Sequence, residues 1–502
     1  MRRTSRWMQT FALALALDSA EASAETPPAE ERPATPEELE ERLDRVIEQN
    51  RQLEEAVRDL QEQGRNRQET AGAEPAGPAT AVPAPTATVA PAVWSRQVGT
   101  ANVQLLDLSV DVLAAAGGST ARDETIEDLQ GGGHDPRQRG FTLQNVETSF
   151  MGAVDPYVTG EAHLIYFLDP EGESRFEVEE AFLQTITLPF GLEELGFQLE
   201  GGHFFTEFGR INPRHPHAWD WQDQPFILSR LFGEDGLRGP GFRVGWLLPL
   251  LPWQAELHGG MQNAKGETMV SFLGNDEVFE ERAVGGRPFA DRRVRSLADF
   301  SYLVRLANGV DLTDTITAQL GGSALFGPNG TGNSGHTEIL GADLLVKWVP
   351  LDASRGWPFV KLEGEALYRR YRADSFFGEF DGVPDVFVPH DTLHDHGFFV
   401  QTLWGFFPRW AAGVRYEHGK GAGANVAFDE DAQVFVDDAR TLDPLRSRRH
   451  RVSPLLVFHP SHFARLRLQY NYDHVTFSRR HNHHSVWFGI EFLYGAHPAH
   501  ML

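Results

Sequence analysis

Hydrophobic and polar residues alternate with a period of two through most of the chain beyond residue 95. Along residues 465–472, leucine and tyrosine occupy the even positions, while arginine, glutamine and asparagine occupy the odd ones. Residues 486–494 repeat the pattern, and 315–324 and 360–369 are similar. Successive side chains of a β-strand point to opposite faces, so these segments are predicted to be strands with one apolar and one polar face.

The connections between these segments differ in length in a regular way. About seven short turns alternate with about eight long polar loops, which implies about sixteen strands of roughly ten residues each. Short turns on one side, long loops on the other and an even strand number are typical of outer-membrane β-barrels. The strands of a soluble β-sandwich would also alternate between polar and apolar residues. A sandwich gives no reason, however, for short connections to lie on one side and long connections on the other.

The pattern therefore predicts an all-β transmembrane fold, a closed antiparallel barrel of about sixteen strands over residues 96–502, preceded by a short coiled-coil helix. The terminal strands are expected to pair, because lipid supplies no water to an open sheet edge. The turns are predicted at 155–156, 189–193, 249–252, 308–311, 350–358, 408 and 459–460. The loops are predicted at about 114–140, 169–175, 204–238, 262–297, 327–336, 373–395, 419–447 and 474–484.

The N-terminal part has a different character. Residues 1–24 have the basic start, apolar run and Ala-Ser-Ala end of an export signal, although an amphipathic terminus is the alternative. A tail (25–34) leads to a predicted helix over 35–63, which opens with Thr35-Pro36 and a capping-box glutamate at Glu38. An Ala/Pro-rich stretch over 64–95 is predicted to be an extended linker.

The predicted helix carries a heptad seam. Its positions are Leu39, Leu43, Val46, Asn50, Leu53, Val57 and Leu60. A polar Asn50 at a core position typically fixes register and oligomer state. Because an isolated helix of this length is marginal in water, we expect the chains to associate as homo-oligomers, with a trimer favoured because of the barrel. The alternative is that the seam packs on the chain's own barrel.

The composition narrows the function classes. A net charge of −26 argues against a nucleic-acid partner, because phosphate neutralisation needs clustered cations. The absence of cysteine excludes disulfides, thiolate metal sites and a cysteine-linked lipid anchor. No apolar run approaches the roughly 18 residues of a membrane-spanning helix. The expected location is the outer membrane of a Gram-negative-type bacterium, with lipid as a partner and the coil and linker in the periplasm.

A sixteen-stranded barrel leaves an aqueous lumen, because side chains cannot fill it. Charged residues of inward parity, with two tryptophans of the third long loop, are predicted to line the pore or its constriction. These residues are Arg305, Lys361, Glu363, Glu365, Arg369, Arg415, Glu417, Arg465, Arg467, Glu491, Trp219 and Trp221. The alternative for each is an ordinary lumen residue, since only the narrowest level sets selectivity.

The third long loop, residues 204–238, is rich in aromatic and apolar residues and is predicted to fold into the lumen as a constriction. Its His215, His217, Asp220 and Asp223 combine imidazoles with carboxylates, a ligand set suited to zinc. The alternative is that these residues make ordinary hydrogen bonds in the loop and wall. No cofactor is required by this interpretation, and zinc is the one candidate.

The motifs of enzymes are not found. Residues 330–335 match the glycine pattern of dinucleotide-binding turns, but they bridge two predicted strands with no helix to receive a phosphate. No Gly-x-Ser-x-Gly nucleophile elbow occurs. No catalytic residue is therefore predicted, and an enzyme is not expected.

Several segments resemble the phosphate-selective porin O/P superfamily, namely FTLQNVETSFMGAVDP (141–156), VEEAFLQT (178–185) and GGHFFTEFGRINP (201–213). Others are similar to a subgroup labelled zinc-regulated TonB-dependent outer-membrane receptors, namely HPHAWDWQDQP (215–225), GEDGLRGPG (233–241), FGPNGTG (326–332), RLRLQYNYDH (465–474) and GAHPAHML (495–502). The resemblance covers nearly all of 100–502. It implies a sixteen-stranded outer-membrane barrel, usually trimeric, with a coil sometimes seen ahead of it.

These observations predict a channel for passive diffusion of small hydrophilic solutes or ions. An energised receptor would need about 22 strands around a plug, whereas sixteen strands and their loops use the roughly 400 residues present here. One alternative is a divalent-metal (zinc) uptake protein that uses the loop histidines. A further alternative is a structural envelope tether, in which the barrel only anchors the periplasmic coil.

Overall fold

The computed structural model describes residues 94–98, 101–170, 172–249, 251–429, 433–437 and 443–495. Sixteen of the described strands form one closed antiparallel barrel, so the predicted fold class is confirmed. The predicted signal, tail, coil and most of the linker lie outside the described residues. Trp94 and Ser95, at the predicted end of the linker, instead begin a strand.

The strands follow in chain order around the barrel, with one short strand before it and two short strand pairs in the connections. The bounds are β1 Trp94–Val98, β2 Ala101–Ser119, β3 Gly140–Ala153, β4 Val158–Leu168, β5 Ser174–Thr185, β6 Phe197–Phe205, β7 Arg238–Leu247, β8 Gln254–Asn263, β9 Phe300–Thr313, β10 Ile316–Pro328 and β11 His336–Trp348. The series continues with β12 Phe359–Ala373, β13 Phe376–Phe380, β14 Val383–Val388, β15 Asp391–Phe407, β16 Trp410–Ala422, β17 Val426–Asp429, β18 Val434–Asp437, β19 Arg449–Ser461, β20 Ala464–Val475 and β21 Asn482–Gly495.

The ring closes where β2 pairs with β21, from Ser109 opposite Gly495 to Ser119 opposite Ser485. All the remaining neighbours in the ring also pair with each other, so the barrel has no open edge. The remaining strands lie outside the ring: β1 pairs with the start of β2, β13 pairs with β14, and β17 pairs with β18.

Three short helices lie in the longer connections: α1 Asp123–Leu129, α2 Phe226–Phe232 and α3 Asp276–Arg282. None of the helices in the described part of the chain is both long enough and apolar enough to cross a membrane. The connections sort by length onto two sides less strictly than predicted. Residues 169–173 on the long-loop side are fewer than residues 186–196 on the short-turn side.

Two predicted turns and parts of several predicted loops are strand in the structure, including most of the predicted loop 373–395. Residues 308–311 continue β9, and the chain turns at 314–315 instead. Pro460 lies within β19 at a register shift, where its missing N–H costs no ladder hydrogen bond. The small residues from Ala114 onward extend β2, because they fit against β21: a Cβ on Gly117 would meet the ring of Trp487.

Exposure alternates along the strands as the sequence pattern predicts. In β20 and β21 the inward residues Arg467, Gln469 and Glu491 are buried, while the outward Leu468 and Ile490 are exposed. The polar face therefore points into the barrel and the apolar face points away from it. Many of the contacts that bury the inward face come from the connection between β6 and β7, which is described next.

Candidate functional site inside the barrel

The connection between β6 and β7, residues 206–237, lies inside the barrel and is called the inner segment below. Its apolar side chains, such as Phe208, Leu228 and Phe232, are fully buried. They pack against inward-facing residues of five consecutive strands of the ring, Leu303, Leu325, Ile339, Leu367 and Phe399. This apolar stripe of the wall gives an aromatic-rich loop a surface on which to bury its side chains.

Helix α2 is the central element of the inner segment. It follows Pro225 and stops at Gly233, whose φ of 88° is a left-handed conformation that favours glycine. A helix of this length is not stable alone in water, and all of its residues are buried. Packing inside the barrel therefore stabilises it.

Buried charges hold the middle of the inner segment to the wall. Asp223 Oδ2 accepts a hydrogen bond from Arg451 Nη1 at 2.8 Å, and Oδ1 accepts one from Gln469 Nε2 at 2.8 Å and pairs with Arg415. Burial alone would raise the pKa of the Asp223 carboxyl, but Arg415 and Arg451 hold this pKa below its ordinary value. The ionised carboxylate thus links the segment to β16, β19 and β20.

Most of the predicted pore-lining residues are covered by the inner segment. Glu365 Oε1 accepts the backbone N–H groups of Arg210 at 2.6 Å and Ile211 at 2.8 Å. Arg467 donates to the carbonyl oxygen of Trp221 at 3.0 Å. The predicted residues that are buried in the barrel are Arg305, Glu363, Glu365, Arg369, Arg415, Glu417, Arg465, Arg467, Glu491, Trp219 and Trp221.

A smaller set of charged side chains stays partly exposed around Glu363. Glu363 Oε1 lies 3.0 Å from Arg210 Nε and 3.0 Å from Arg214 Nη1, and Glu363 Oε2 lies 3.5 Å from Lys361 Nζ. Lys361 Nζ also lies 2.7 Å from Asp220 Oδ2. We call Arg210, Arg214, Asp220 and Lys361 the exposed charge cluster; the Arg214 and Lys361 side chains are 25% and 21% exposed.

Sequence reasoning identified Lys361 but missed Arg210 and Arg214. In a strand, the alternation of polar and apolar residues indicates which side chains face inward. Residues 207–214 form turns, in which no such alternation exists. The only sequence feature that could have indicated them is that both arginines lie in a loop predicted to enter the lumen.

Histidines and glutamates meet where the inner segment passes β3, β4 and β5. His215 Nδ1 lies 2.6 Å from Glu179 Oε2, and His215 Nε2 lies 2.9 Å from Glu180 Oε2. His163 Nδ1 lies 3.1 Å from Glu147 Oε1, and the His163 and His215 rings have centroids 4.4 Å apart. One donor atom from each of Glu147, His163 and His215 lies within 4.8 Å of the other two.

A β-bulge places two consecutive glutamates in this cluster. The pairing of β4 with β5 passes from His163 opposite Glu180 to Leu164 opposite Val178, so Glu179 is an extra residue. Such a bulge breaks the alternation of side chains, and Glu179 and Glu180 are both buried. Sequence alternation alone would have placed one of them outside the barrel.

The carboxylates also affect the protonation of His215. Burial alone would lower the pKa of His215, but Glu147 and Glu179 raise this pKa well above its ordinary value. The imidazole therefore carries a positive charge at neutral pH when only protein groups surround it.

The structure does not bring the four predicted metal ligands together. The rings of His215 and His217 stack with centroids 5.6 Å apart, and His217 Nδ1 lies 2.9 Å from Glu147 Oε2. Asp220 and Asp223 are instead paired with lysine and arginine side chains of the wall. A glutamate of β3 and a histidine of β4 stand beside His215 in their place.

No family model matches the chain. A protein of Aquifex aeolicus, described as uncharacterized, is 28% identical over 422 residues, which cover 79% of this chain and 80% of that protein. The resemblance to the phosphate-selective porin O/P superfamily therefore stays a prediction.

Solved outer-membrane proteins superpose on the barrel with low scores. The channel DcaP of Acinetobacter baumannii gives a TM-score of 0.46 at 10% identity, covering 78% of this chain and 96% of that one. An anion-selective porin of Comamonas acidovorans gives 0.42 at 8% identity, covering 78% and 99%. At these values the likeness decides neither family nor function, and the fold rests on the strand pairing above.

Proposed function

We propose that the chain is an outer-membrane, porin-type channel for passive diffusion of small hydrophilic solutes or ions, constricted by the inner segment. A closed barrel satisfies all backbone groups within the sheet, which is what allows strands to cross lipid. The outward face of the barrel exposes large apolar side chains, among them Leu340, Val400, Leu468, Phe488 and Ile490. In water this surface would be unfavourable, whereas lipid would cover it.

Aromatic residues at both ends of the strands support the same placement. At the short-turn end, Trp348, Trp404 and Tyr494 are exposed on the outward face. At the long-loop end, the Tyr368 hydroxyl lies 2.7 Å from His394 Nδ1, and further tyrosines are exposed near it on the ring. Two such girdles flank the apolar band of an outer-membrane barrel, with the short turns on the periplasmic side.

The main support for a constriction is that the inner segment contacts widely separated strands of the ring. His217 contacts Glu147 of β3, Arg210 contacts Glu365 of β12, and Asp223 contacts Arg451 of β19. A segment held on so many strands narrows the lumen at that level. The exposed charge cluster then supplies charged groups that a passing solute meets, and the narrowest level is where selectivity is set.

Conductance across a planar bilayer tests this function. The purified full-length protein is expected to give discrete, ohmic steps that are small for a sixteen-stranded barrel, because the inner segment occupies much of the lumen. Removing residues 216–232 and joining the ends through a short glycine linker should enlarge each step. A barrel that inserts but gives no steps, with or without these residues, would contradict the proposal.

Divalent-metal uptake is the second candidate, and the histidine–glutamate cluster is the observation that favours it. Liposomes loaded with a zinc-sensitive dye separate the two functions. A general channel would admit zinc and similar-sized ions alike, whereas an uptake protein would admit zinc preferentially and lose that preference when His215 is replaced.

A further inference from the structure

We infer that Glu147, His163 and His215 form a binding site for a divalent transition-metal ion, with zinc as the best match. The site would join the inner segment to β3 and β4. It differs from the ligand set that the sequence suggested, and it goes beyond the channel function proposed above.

The spacing of the donor atoms fits a tetrahedral ion. Ligands at about 2.1 Å from zinc lie about 3.4 Å from one another. Glu147 Oε1 lies 3.1 Å from His163 Nδ1 and 3.5 Å from His215 Nδ1. Glu179 Oε2 lies 2.6 Å from the same His215 Nδ1, and this carboxylate would turn aside when the nitrogen binds an ion. The three donors come from β3, β4 and the inner segment, and water would take the fourth position.

The second nitrogen of each histidine faces a carboxylate. His215 Nε2 lies 2.9 Å from Glu180 Oε2, and His163 Nε2 lies 3.6 Å from Glu161 Oε2. In metal sites the non-ligating N–H of a histidine usually donates to such a group, which fixes the ring orientation and makes the ligating nitrogen more basic. The bulge that turns Glu179 and Glu180 inward therefore places Glu180 where it orients the His215 ring.

The carboxylates of the cluster also differ from other buried carboxylates in their partners. Elsewhere in the barrel, buried carboxylates pair with guanidinium groups, as Asp473 does with Arg449 and Arg451. In the described part of the chain, the ion pairs of Glu147, Glu179 and Glu180 are all made with histidines. A divalent ion would balance the buried negative charge while leaving the imidazoles neutral, as ligation requires.

The ligand types select among metals. Two imidazole nitrogens with a carboxylate suit zinc and its neighbours in the first transition row, whereas calcium and magnesium prefer sites made of oxygen. The cluster lies close to solvent, because the Glu161 side chain beside His163 is 31% exposed. Metal bound here would hold the inner segment against the wall, since an ion that binds only the docked form stabilises it.

Metal binding by the full-length protein in detergent tests the inference without using conductance. Chelator-treated protein is titrated with zinc against a chromophoric competitor, and with Co²⁺, whose visible absorption reports tetrahedral coordination. We expect one tight site and a tetrahedral Co²⁺ spectrum. H163Q and H215Q should abolish both, and E180Q should weaken zinc binding about 10- to 100-fold through the lost orienting group. H450Q, on the outward face, is the matched control and should bind as the natural chain does.

Circular dichroism and heat-modifiable migration in gels show whether each variant forms the barrel. If H215Q does not fold, E147Q is used in its place. The inference is overturned if the folded natural chain takes up no zinc, if H163Q binds zinc unchanged, or if Co²⁺ binds with an octahedral spectrum. The protein can bind zinc here without conducting ions, and it can conduct ions without binding zinc. A negative result for zinc binding therefore does not decide the channel proposal, which is tested separately by conductance.

Discussion

Asp223 and Arg451 are separated by 228 residues in the chain, yet the Asp223 carboxylate and the Arg451 guanidinium meet at 2.8 Å inside the barrel. One belongs to the inner segment and the other to β19. Arg451 also contacts Asp473 of β20 at 2.8 Å, and both side chains are fully buried. The docking of the inner segment therefore depends on a network of buried charges.

Replacing Asp223 with Asn should loosen the inner segment. The change leaves Arg415 and Arg451 buried with less counter-charge, and breaking such a pair costs about 3–5 kcal/mol. We expect a lower thermal unfolding temperature in detergent and a larger, noisier single-channel conductance. D352N, in an exposed short turn, is the control. Equal conductance and stability in D223N and the natural chain would show that this network does not hold the segment.

The same carboxylate predicts how conductance depends on pH. The pKa of Asp223 is lower in the docked segment than its value of about 3.9 in an unfolded chain. The stabilisation from its charge is therefore fully present above about pH 4 and is lost as the pH falls further. The difference in single-channel conductance between the natural chain and D223N should stay constant between about pH 7 and 5 and disappear only below about pH 4. A difference that has already disappeared at pH 6 would contradict this assignment.

Much of the fold could be predicted from the sequence because barrel strands alternate. The parity of β20 and β21 correctly separated buried Arg467 and Glu491 from exposed Leu468 and Ile490. The errors in turn position arose where Gly309 and Pro460 suggested breaks that the strands accommodate. Strand pairing settles such cases, and a single sequence does not show the pairing.

The candidate site was less predictable for a physical reason. Aromatic composition indicated that residues 204–238 enter the barrel, but not which wall residues they meet. His163 and Glu147 lie far from His215 in sequence. The bulge at Glu179 also breaks the alternation from which inward-facing and outward-facing side chains were predicted. Contacts among inward-facing groups depend on register and on the path of an irregular loop, and neither leaves a periodic signal.

An arginine on the outward face should destabilise the barrel. Leu468 is exposed near the middle of β20, where a charge facing lipid costs about 2–4 kcal/mol. We expect L468R to fold with lower yield into lipid vesicles and to unfold at lower denaturant concentration. L351R, in a short turn, exposes its charge to water and should behave like the natural chain. Equal stability of both variants would mean that this face does not meet lipid.

The heptad seam lies outside the described residues, and its role stays a prediction. If the seam associates chains, Asn50 is its one polar core position, and such a residue specifies oligomer number at a cost in stability. N50L should change the oligomer mass, or broaden its distribution, in light scattering of the detergent complex. Q52L, off the seam, is the control. An unchanged mass in N50L would indicate that the helix packs on its own chain or does not set the assembly.

Chemical modification beside the inner segment tests most directly whether solutes pass it. The chain has no cysteine, so R214C places one thiol in the exposed charge cluster and D352C places one in an exposed short turn. A charged methanethiosulfonate reagent is added during single-channel recording, and mass spectrometry confirms labelling. We predict an abrupt change in the conductance of R214C and none in D352C. Full labelling of R214C with unchanged conductance would contradict a channel constricted by the inner segment.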